Sequence, residues 1–499
     1  MNAAHIILRA DATRSLGLGH VKRCLALGLA LRECGAEVSL VFRRSDVDVE
    51  ALARESGIAC QAIGTDAAWQ EDAAATARIA RSCGAAWVVV DHYGFDARWH
   101  GQVAAAGGIA IAAIDDLADR PLEVSLLVDP NHAADHRSKY SGRLAGKPRM
   151  LAGPRYALLA PVYAYAPRLA LRDEVASIGI FMGGADAAGM STLALEACRH
   201  HARFDGPIEI ATTRASPHLD ALQRSCASDS RLTLTVDVPN LAAFFARHDL
   251  QIGAGGGATW ERCCLGAPTL ALRCAANQDA VIPALAALGA VAALPGDGPP
   301  TAAGIGEAVR RLIDDPAARR RLAETSRAIV DGRGAQRVAL YLCAAQLHVR
   351  PAVAADARML HLWRNDEATR AASIDSAPIP WERHAAWFDK VLTDPARALL
   401  VGVVGTIPVG AIRFDTVDAG AREVSLYLDP ALHGLGLGTQ LLRAGERHVI
   451  DRAGSPPGGF VATVLDANAG SQRLFAAASY RRDGSRWHKA CGPSIKRTP

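Results

Sequence analysis

No apolar run in this 499-residue chain reaches the ~18 residues needed to cross a bilayer. No secretory leader is expected, because Arg9, Asp11 and Arg14 interrupt the first apolar stretch almost at once. The 11 cysteines, an odd number, include no C-x-x-C pair of the kind that marks a zinc or redox site. Adjacent Cys263 and Cys264 read as core packing, and a reducing cytoplasm is expected. Like charges form no block, and the net charge is only +4. Arg319, Arg320 and Arg321 therefore read as a solvated helix face, and neither nucleic acid nor membrane is expected as a partner. The chain has no G-x-x-x-x-G-K-[ST] loop and no carboxylate cluster that demands a metal. A P-loop nucleoside triphosphatase is therefore not expected, and neither is a metal.

What is present is length and alternation. At ~150 residues per domain, the chain holds about three domains. The first ~340 residues alternate strand and helix signals with short Gly-rich connections, the pattern of parallel sheets. Strands are expected at Ile6–Leu8, Val38–Phe42, Trp87–Val90, Ile109–Ile114 and Leu126–Val128. The Pro-, Gly- and Tyr-rich segment Pro148–Pro167 reads as a hinge, after which a second series begins at Ile178–Met182. Helices over about Ala317–Val330 and Ala335–Leu347 close this region. Beyond His348 the pattern changes to a helix followed by alternating strands at Leu399–Val404, Val409–Asp415 and Arg422–Leu428, an α+β unit. The expected domains are 1–160, 161–346 and 347–499: two Rossmann-like α/β domains and an α+β domain.

Open parallel sheets bind ligands beyond the carboxyl ends of their strands. The loop Arg9–His20 leaves the first strand there, and Gly17 and Gly19 let its backbone approach a ligand before His20 opens a helix. A neutral imidazole at that mouth suits proton abstraction from water; equally, His20 could only cap the helix. In the second series, Gly183-Gly184 and Gly255-Gly256-Gly257 each follow a strand and precede a helix, where bare N–H groups suit a diphosphate. Glu261 lies just beyond, placed to bridge ribose hydroxyls or simply to face solvent. Asp115 and Asp116 are adjacent and must point opposite ways.

These residues carry a specific resemblance. R-A-D-x(8)-G-H-V-x-R-C-L-A-L (Arg9 to Leu27), V-V-D-H-Y (Val89 to Tyr93), I-D-D-L-A-D-R-P (Ile114 to Pro121), D-P-N (Asp129 to Asn131) and F-M-G-G-A-D from Phe181 resemble the UDP-sugar hydrolases of pseudaminic acid biosynthesis. Those enzymes are similar to the MurG-type glycosyltransferases and share their GT-B arrangement. The resemblance covers about residues 4–345. It implies that His20 activates water and that Arg9, Asp11, Gly19 and Tyr93 belong to the substrate site with Gly183 and Gly184. It also implies that Gly256, Gly257 and Thr259 meet the diphosphate, Glu261 the ribose, and Asn277 and Gln278 the sugar and phosphate.

In the third unit, a strand leads into His433-Gly434-Leu435-Gly436-Leu437-Gly438-Thr439, a second anion nest at a helix start. With N-x-x-S at Asn468 to Ser471, this resembles the GNAT acetyltransferases over about residues 347–490. L-x-W-R-N-D (Leu360 to Asp366) and I-x-W-E-x-H-x-x-W-F (Ile379 to Phe388) resemble the branch that acetylates nucleotide-linked amino sugars. The resemblance implies acetyl-CoA as co-substrate, held by His433, Gly434, Gly436, Gly438, Thr439, Asn468 and Ser471. His433 departs from the family's usual Gln or Arg, and Phe475 replaces a common tyrosine acid, leaving Tyr427 and Tyr480 as alternatives. Glu423 shares a strand face with Ser425 and Tyr427 and reads as either a base or a solvent-facing acid. Together the resemblances imply acetylation of a UDP-linked amino sugar, then hydrolysis to the free 2,4-diacetamido sugar and UDP. Two other readings fit the same residues. One is a MurG-like glycosyltransferase fused to a GNAT domain of other amine specificity, and the other is a non-catalytic nucleotide-sugar-binding scaffold.

Overall fold

Ile6, Ile7, Leu8 and Ala10 have no exposed surface. A strand buried on both faces belongs inside a parallel sheet covered by helices. In the computed structural model, which describes residues 3–14, 16–65, 68–167, 169–296, 298–417, 420–452 and 457–491, this strand, β1 (His5–Ala10), is central to a seven-stranded sheet. Its other members are β2 (Glu37–Arg43), β3 (Ala59–Ile63), β4 (Ala85–Asp91), β5 (Ala110–Ile114), β6 (Leu126–Asp129) and β7 (Arg149–Ala152). The order is β3-β2-β1-β4-β5-β6-β7, with every pair parallel. Chain order reverses between β1 and β4, so the loops after these strands diverge and leave a crevice.

The second sheet repeats this plan with β8 (Ile178–Phe181), β9 (Ile208–Thr212), β10 (Leu232–Val236), β11 (Leu250–Ala254), β12 (Thr269–Leu272) and β13 (Ala292–Ala293). Its order is β10-β9-β8-β11-β12-β13, again parallel, and the reversal falls between β8 and β11. The hinge is shorter than the sequence suggests. Arg149–Ala152 is the edge strand β7, paired to β6 in register Leu126↔Arg149, a non-local pairing that its Pro- and Gly-rich surroundings conceal. The link proper runs through Pro154–Tyr156 and Pro161–Tyr165. The closing helices are Pro316–Ile329 and Gly334–Leu342. Gly334 lies so close to the backbone of Ala157 that any Cβ there would collide, and Arg337 donates to the Arg155 carbonyl at 2.7 Å.

Residues Ala4–Arg32 and Glu37–Val338 form one compact unit, and the chain from Ala339, with the turn Glu33–Ala36, forms another. The second unit holds β14 (His348–Pro351), β15 (Arg397–Val404), β16 (Ile407–Thr416), β17 (Arg422–Leu428), β18 (Phe460–Thr463), β19 (Arg481–Asp483) and β20 (Arg486–Lys489). The order is β14-β15-β16-β17-β18-β20-β19, antiparallel except where β17 meets β18. Those two strands pair only at Arg422↔Phe460 and Glu423↔Val461. Beyond Glu423 the sheet splits, leaving strand-edge N–H and C=O groups without a ladder partner. The helix Leu437–Arg452 covers one face, where Gly402 and Gly410 of the sheet make room for Leu441, and Gly445 of the helix makes room for Ile412 and Phe414. Leu360, Phe388 and Val391 pack the other face against Leu399, Val401 and Ala411.

Candidate active sites

His20, on the helix Gly19–Glu33 that follows β1, is buried, with a relative exposure of 5%. Its Nδ1 lies 2.5 Å from Oδ1 of Asp91, the last residue of β4. The crevice between β1 and β4 therefore brings these two side chains together across 71 residues of sequence. Burial pushes the Asp91 carboxyl up, but the Arg23 charge and then His20 outweigh it and hold it below the usual carboxylate range. An ionised carboxylate only accepts, so Nδ1 carries a hydrogen toward Asp91, and in the neutral ring the lone pair is then on Nε2. Nε2 meets no hydrogen-bond partner among the described residues.

Arg23 completes this arrangement from one turn further along the helix. Its Nε and Nη2 each donate to Asp91 at 2.9 Å, and Nη1 reaches Asp116 at 3.4 Å. Burial opposes its charge, yet Asp91 and Asp116 keep it firmly protonated. Tyr93 donates to Asp116 at 2.9 Å and meets the His20 ring edge-on, centroids 4.6 Å apart. Burial and then Asp116 push its phenol up, so it stays neutral. Asn131 donates to Asp116 at 3.3 Å. Four separate motifs thus converge at the carboxyl ends of β1, β4, β5 and β6. As adjacency requires, Asp115 points the other way, to Tyr140 and Arg120. Sequence reading gave Arg23 no role. Its spacing of three residues from His20 on one helix was the available signal.

Against the expectation of a substrate contact, Arg9 has no exposed surface. It pairs with Asp11 and Asp72, and Asp72 also accepts from Trp99 at 3.0 Å. Asp11 is buried too and accepts from the Arg43 amide at 2.7 Å. Both residues brace the loop from beneath. Gly19 is exposed, with open space beside it.

In the second sheet the two glycine loops differ. After β8, Gly183 takes φ +94°, which a side chain would strain. The helix that follows already has its anion, because Asp186 accepts from the amides of Met190 and Ser191 at 2.9 and 3.0 Å. After β11, the helix Ala258–Leu265 begins at Gly257 with no side-chain cap. Gly256 and Gly257 are exposed and have open space around them. This loop is the one with amides to offer. Thr259 turns inward to the Ala254 carbonyl at 3.2 Å. Gln278 Oε1 accepts from the amides of Gly255 and Cys274 at 3.2 and 2.9 Å, so it ties the loop to the end of β12. The Asn277 side chain lies outside the described residues. Burial raises the Glu261 carboxyl, against the lowering effects of a hydrogen bond from Tyr163 and the charge of Lys22. Lys22 stands two residues past His20, so the histidine-bearing helix lies within electrostatic reach of the second sheet's glycine loop.

In the C-terminal unit, Gly434 and Gly436 have φ of +85° and +80° and open space where a side chain would stand. Gly438 differs: it is buried, and a Cβ would sit 2.6 Å from Leu474. Its lack of a side chain serves the packing of the helix against Leu474. His433 and Thr439 flank the loop half-buried. Asn468 caps the helix Ala469–Ala477 through the Ser471 amide at 2.9 Å, while its Nδ2 donates to the Ala372 carbonyl at 3.1 Å. Both of its polar ends thus serve the fold. Glu423 accepts from Thr463 at 3.4 Å, where β17 and β18 part. Tyr480 is committed to Glu446 at 2.7 Å, beside the Lys489 ammonium at 2.5 Å. Burial pushes the Tyr427 phenol up, although Arg364 and Arg413 stand near it. Among the described residues no group of three or more His, Cys, Asp or Glu side chains could hold a metal ion, and no helix is long and apolar enough to cross a membrane.

The match to a known family begins a few residues inside the C-terminal unit. Residues 346–480 match the family model described as acetyltransferase (GNAT) domain. Spermidine N-acetyltransferase from Vibrio cholerae, solved with CoA and spermine, is 14% identical, with 29% of this chain and 93% of that one covered at TM-score 0.27. The S. aureus MnaA–UDP structure is 13% identical, covering 68% of this chain and 96% of that one at TM-score 0.46. The spore coat polysaccharide biosynthesis protein SpsG of Bacillus subtilis (strain 168) is 26% identical over 208 residues. That match takes in 40% of this chain and spans 59% of the curated relative's length. The parallel-sheet topology makes the first part a Rossmann-like α/β region, and the family match makes residues 346–480 a GNAT acetyltransferase domain.

Proposed function

We propose that the chain acts twice on one UDP-linked amino sugar. Its GNAT domain acetylates the 4-amino group of UDP-4-amino-4,6-dideoxy-N-acetyl-β-L-altrosamine. The α/β region then hydrolyses the product to UDP and the free 2,4-diacetamido-2,4,6-trideoxy-L-altrose. The observation that carries the hydrolase reading is the His20–Asp91 pair at the β1/β4 crevice. Asp91 fixes the tautomer, and Nε2 takes a proton from water aimed at the anomeric carbon. Asp91 and Asp116 together outweigh Arg23 by one negative charge, which receives the imidazolium as it forms. On the opposite side, UDP departs as a stabilised anion onto the bare amides at Gly256, Gly257 and the following helix start, so no strong general acid is needed. Attack opposite the leaving group inverts the anomeric centre. In this reading Glu261, hydrogen-bonded by Tyr163, takes the ribose hydroxyls.

In the GNAT domain, Gly434 and Gly436 offer backbone amides to the acetyl-CoA pyrophosphate. The split between β17 and β18 offers strand-edge groups to its extended arm. The substrate amine gives up a proton, through water to Glu423, before it attacks the thioester carbon. In this reading Tyr427, neutral and not bound to a carboxylate among the described residues, protonates the departing thiolate. Tyr427→Phe is expected to slow acetyl transfer about tenfold or more. Tyr480→Phe should leave that rate unchanged and cost about 1 kcal/mol of stability. Equal rates for the two variants in a thiol-release assay would remove Tyr427 from this role.

The decisive experiment follows the purified chain by NMR with the UDP-amino sugar, with and without acetyl-CoA. The expected result is an N-acetylated UDP-sugar and then a free sugar with inverted anomeric configuration, only when acetyl-CoA is present. UDP release that requires an added acceptor would instead mark a glycosyltransferase.

A further inference from the structure

Arg262 is 1% exposed, on the helix Ala258–Leu265 beneath the bare glycine loop. A buried guanidinium ordinarily has a carboxylate partner, because an unpaired charge is costly to desolvate. Arg262 has none among the described residues, and its Nε and Nη1 make no hydrogen bond at all. Only Nη2 is engaged, with the Ala254 carbonyl at 2.8 Å and Thr259 Oγ1 at 3.1 Å. Both acceptors belong to the turn that presents Gly256 and Gly257. Gly253, at the end of β11, is glycine for the same reason: a Cβ there would strike the guanidinium. The Phe245 ring lies 5.7 Å away. Burial drives the group's pKa down to about 10, with weaker opposing effects from Cys263, Glu261 and Cys274, so it remains protonated at neutral pH without a counter-ion.

We propose that Arg262 is a built-in positive charge for the anion held by the glycine loop, completed only when a diphosphate binds on the other side of the backbone. The guanidinium does not touch the ligand. It acts by its charge across the Ala254–Thr259 turn, adding its field to that of the uncapped helix start in a region of low dielectric. This makes it a positioning residue, and its contribution grows with the ligand's charge. The inference rests on the UDP reading of this loop.

The test compares uridine, UMP and UDP binding to the full chain by calorimetry. Wild type is expected to bind in the order UDP, UMP, uridine. Arg262→Met should weaken UDP roughly ten- to a hundredfold, UMP less, and uridine hardly at all. Arg262→Lys, which keeps a cation without the paired turn contacts, should recover most of the UDP affinity. Equal losses for all three ligands in Arg262→Met would mean a structural role and overturn the proposal. So would an Arg262→Lys protein that folds, binds uridine and discriminates against UDP as poorly as the methionine variant. If wild type itself shows no preference for UDP, the UDP reading fails first, and the two failures are thereby distinguished.

Discussion

Replacing His20 by glutamine is expected to slow UDP-sugar hydrolysis by ~10²–10⁴-fold while leaving UDP affinity nearly unchanged. Glutamine preserves much of the shape and can still bond Asp91, but it has no lone pair basic enough to take a proton from water. The loop proposed to hold the diphosphate, Gly256 and Gly257, lies on the other sheet, so binding and chemistry should separate. Acetyl transfer by the C-terminal unit should continue at the wild-type rate, which provides an internal control for folding. Turnover measured on the acetylated UDP-sugar, with UDP titrated by calorimetry, checks both halves. Wild-type turnover in this variant would remove His20 from the mechanism.

Asp91→Asn is expected to cost nearly as much turnover, for a different reason. The amide no longer dictates which imidazole nitrogen carries hydrogen, and it supplies no negative charge to the imidazolium. A fall in kcat of ~10²–10⁴-fold with KM changed less than about threefold is the expected pattern. Stability should also fall, by about 1–3 kcal/mol, because Arg23 exchanges two 2.9 Å bonds to a carboxylate with no exposed surface for at most one bond to a neutral amide oxygen. The sign of the pH effect follows from the lowered carboxyl pKa of Asp91. Its contribution is complete above the unfolded value of ~4 and is lost as pH falls through the lower folded value. The stability gap between wild type and Asp91→Asn should therefore be present at neutral pH and shrink below pH ~4, as urea midpoints would show. A variant with unchanged kcat would leave the carboxylate with a purely structural role.

The glycine loops show how far residue patterns reach. Gly183-Gly184 and Gly255-Gly256-Gly257 look equivalent in sequence, each lying between a strand and a helix. Only the fold reveals that Asp186 already fills the first helix start, whereas the second is bare. Gly434, Gly436 and Gly438 likewise form one alternating run, yet Leu474 leaves no room beside the third. A charged residue in a motif is equally ambiguous: Arg9 belongs to the most extended motif in the chain and is wholly buried beneath it.

The sequence by itself determined the alternation of strands and helices, the change of class near residue 348, and the positions of His20 and the glycine loops. Those features are written in local periodicity and in residues whose backbone freedom is intrinsic. Tertiary structure alone decided which residues stand beside His20. Asp91, Asp116 and Asn131 arrive from the ends of three further strands, and parallel sheet order is a non-local property that no single segment encodes. It also decided that Arg262 is buried without a partner, since the cost of desolvating a charge depends on what the whole fold packs around it.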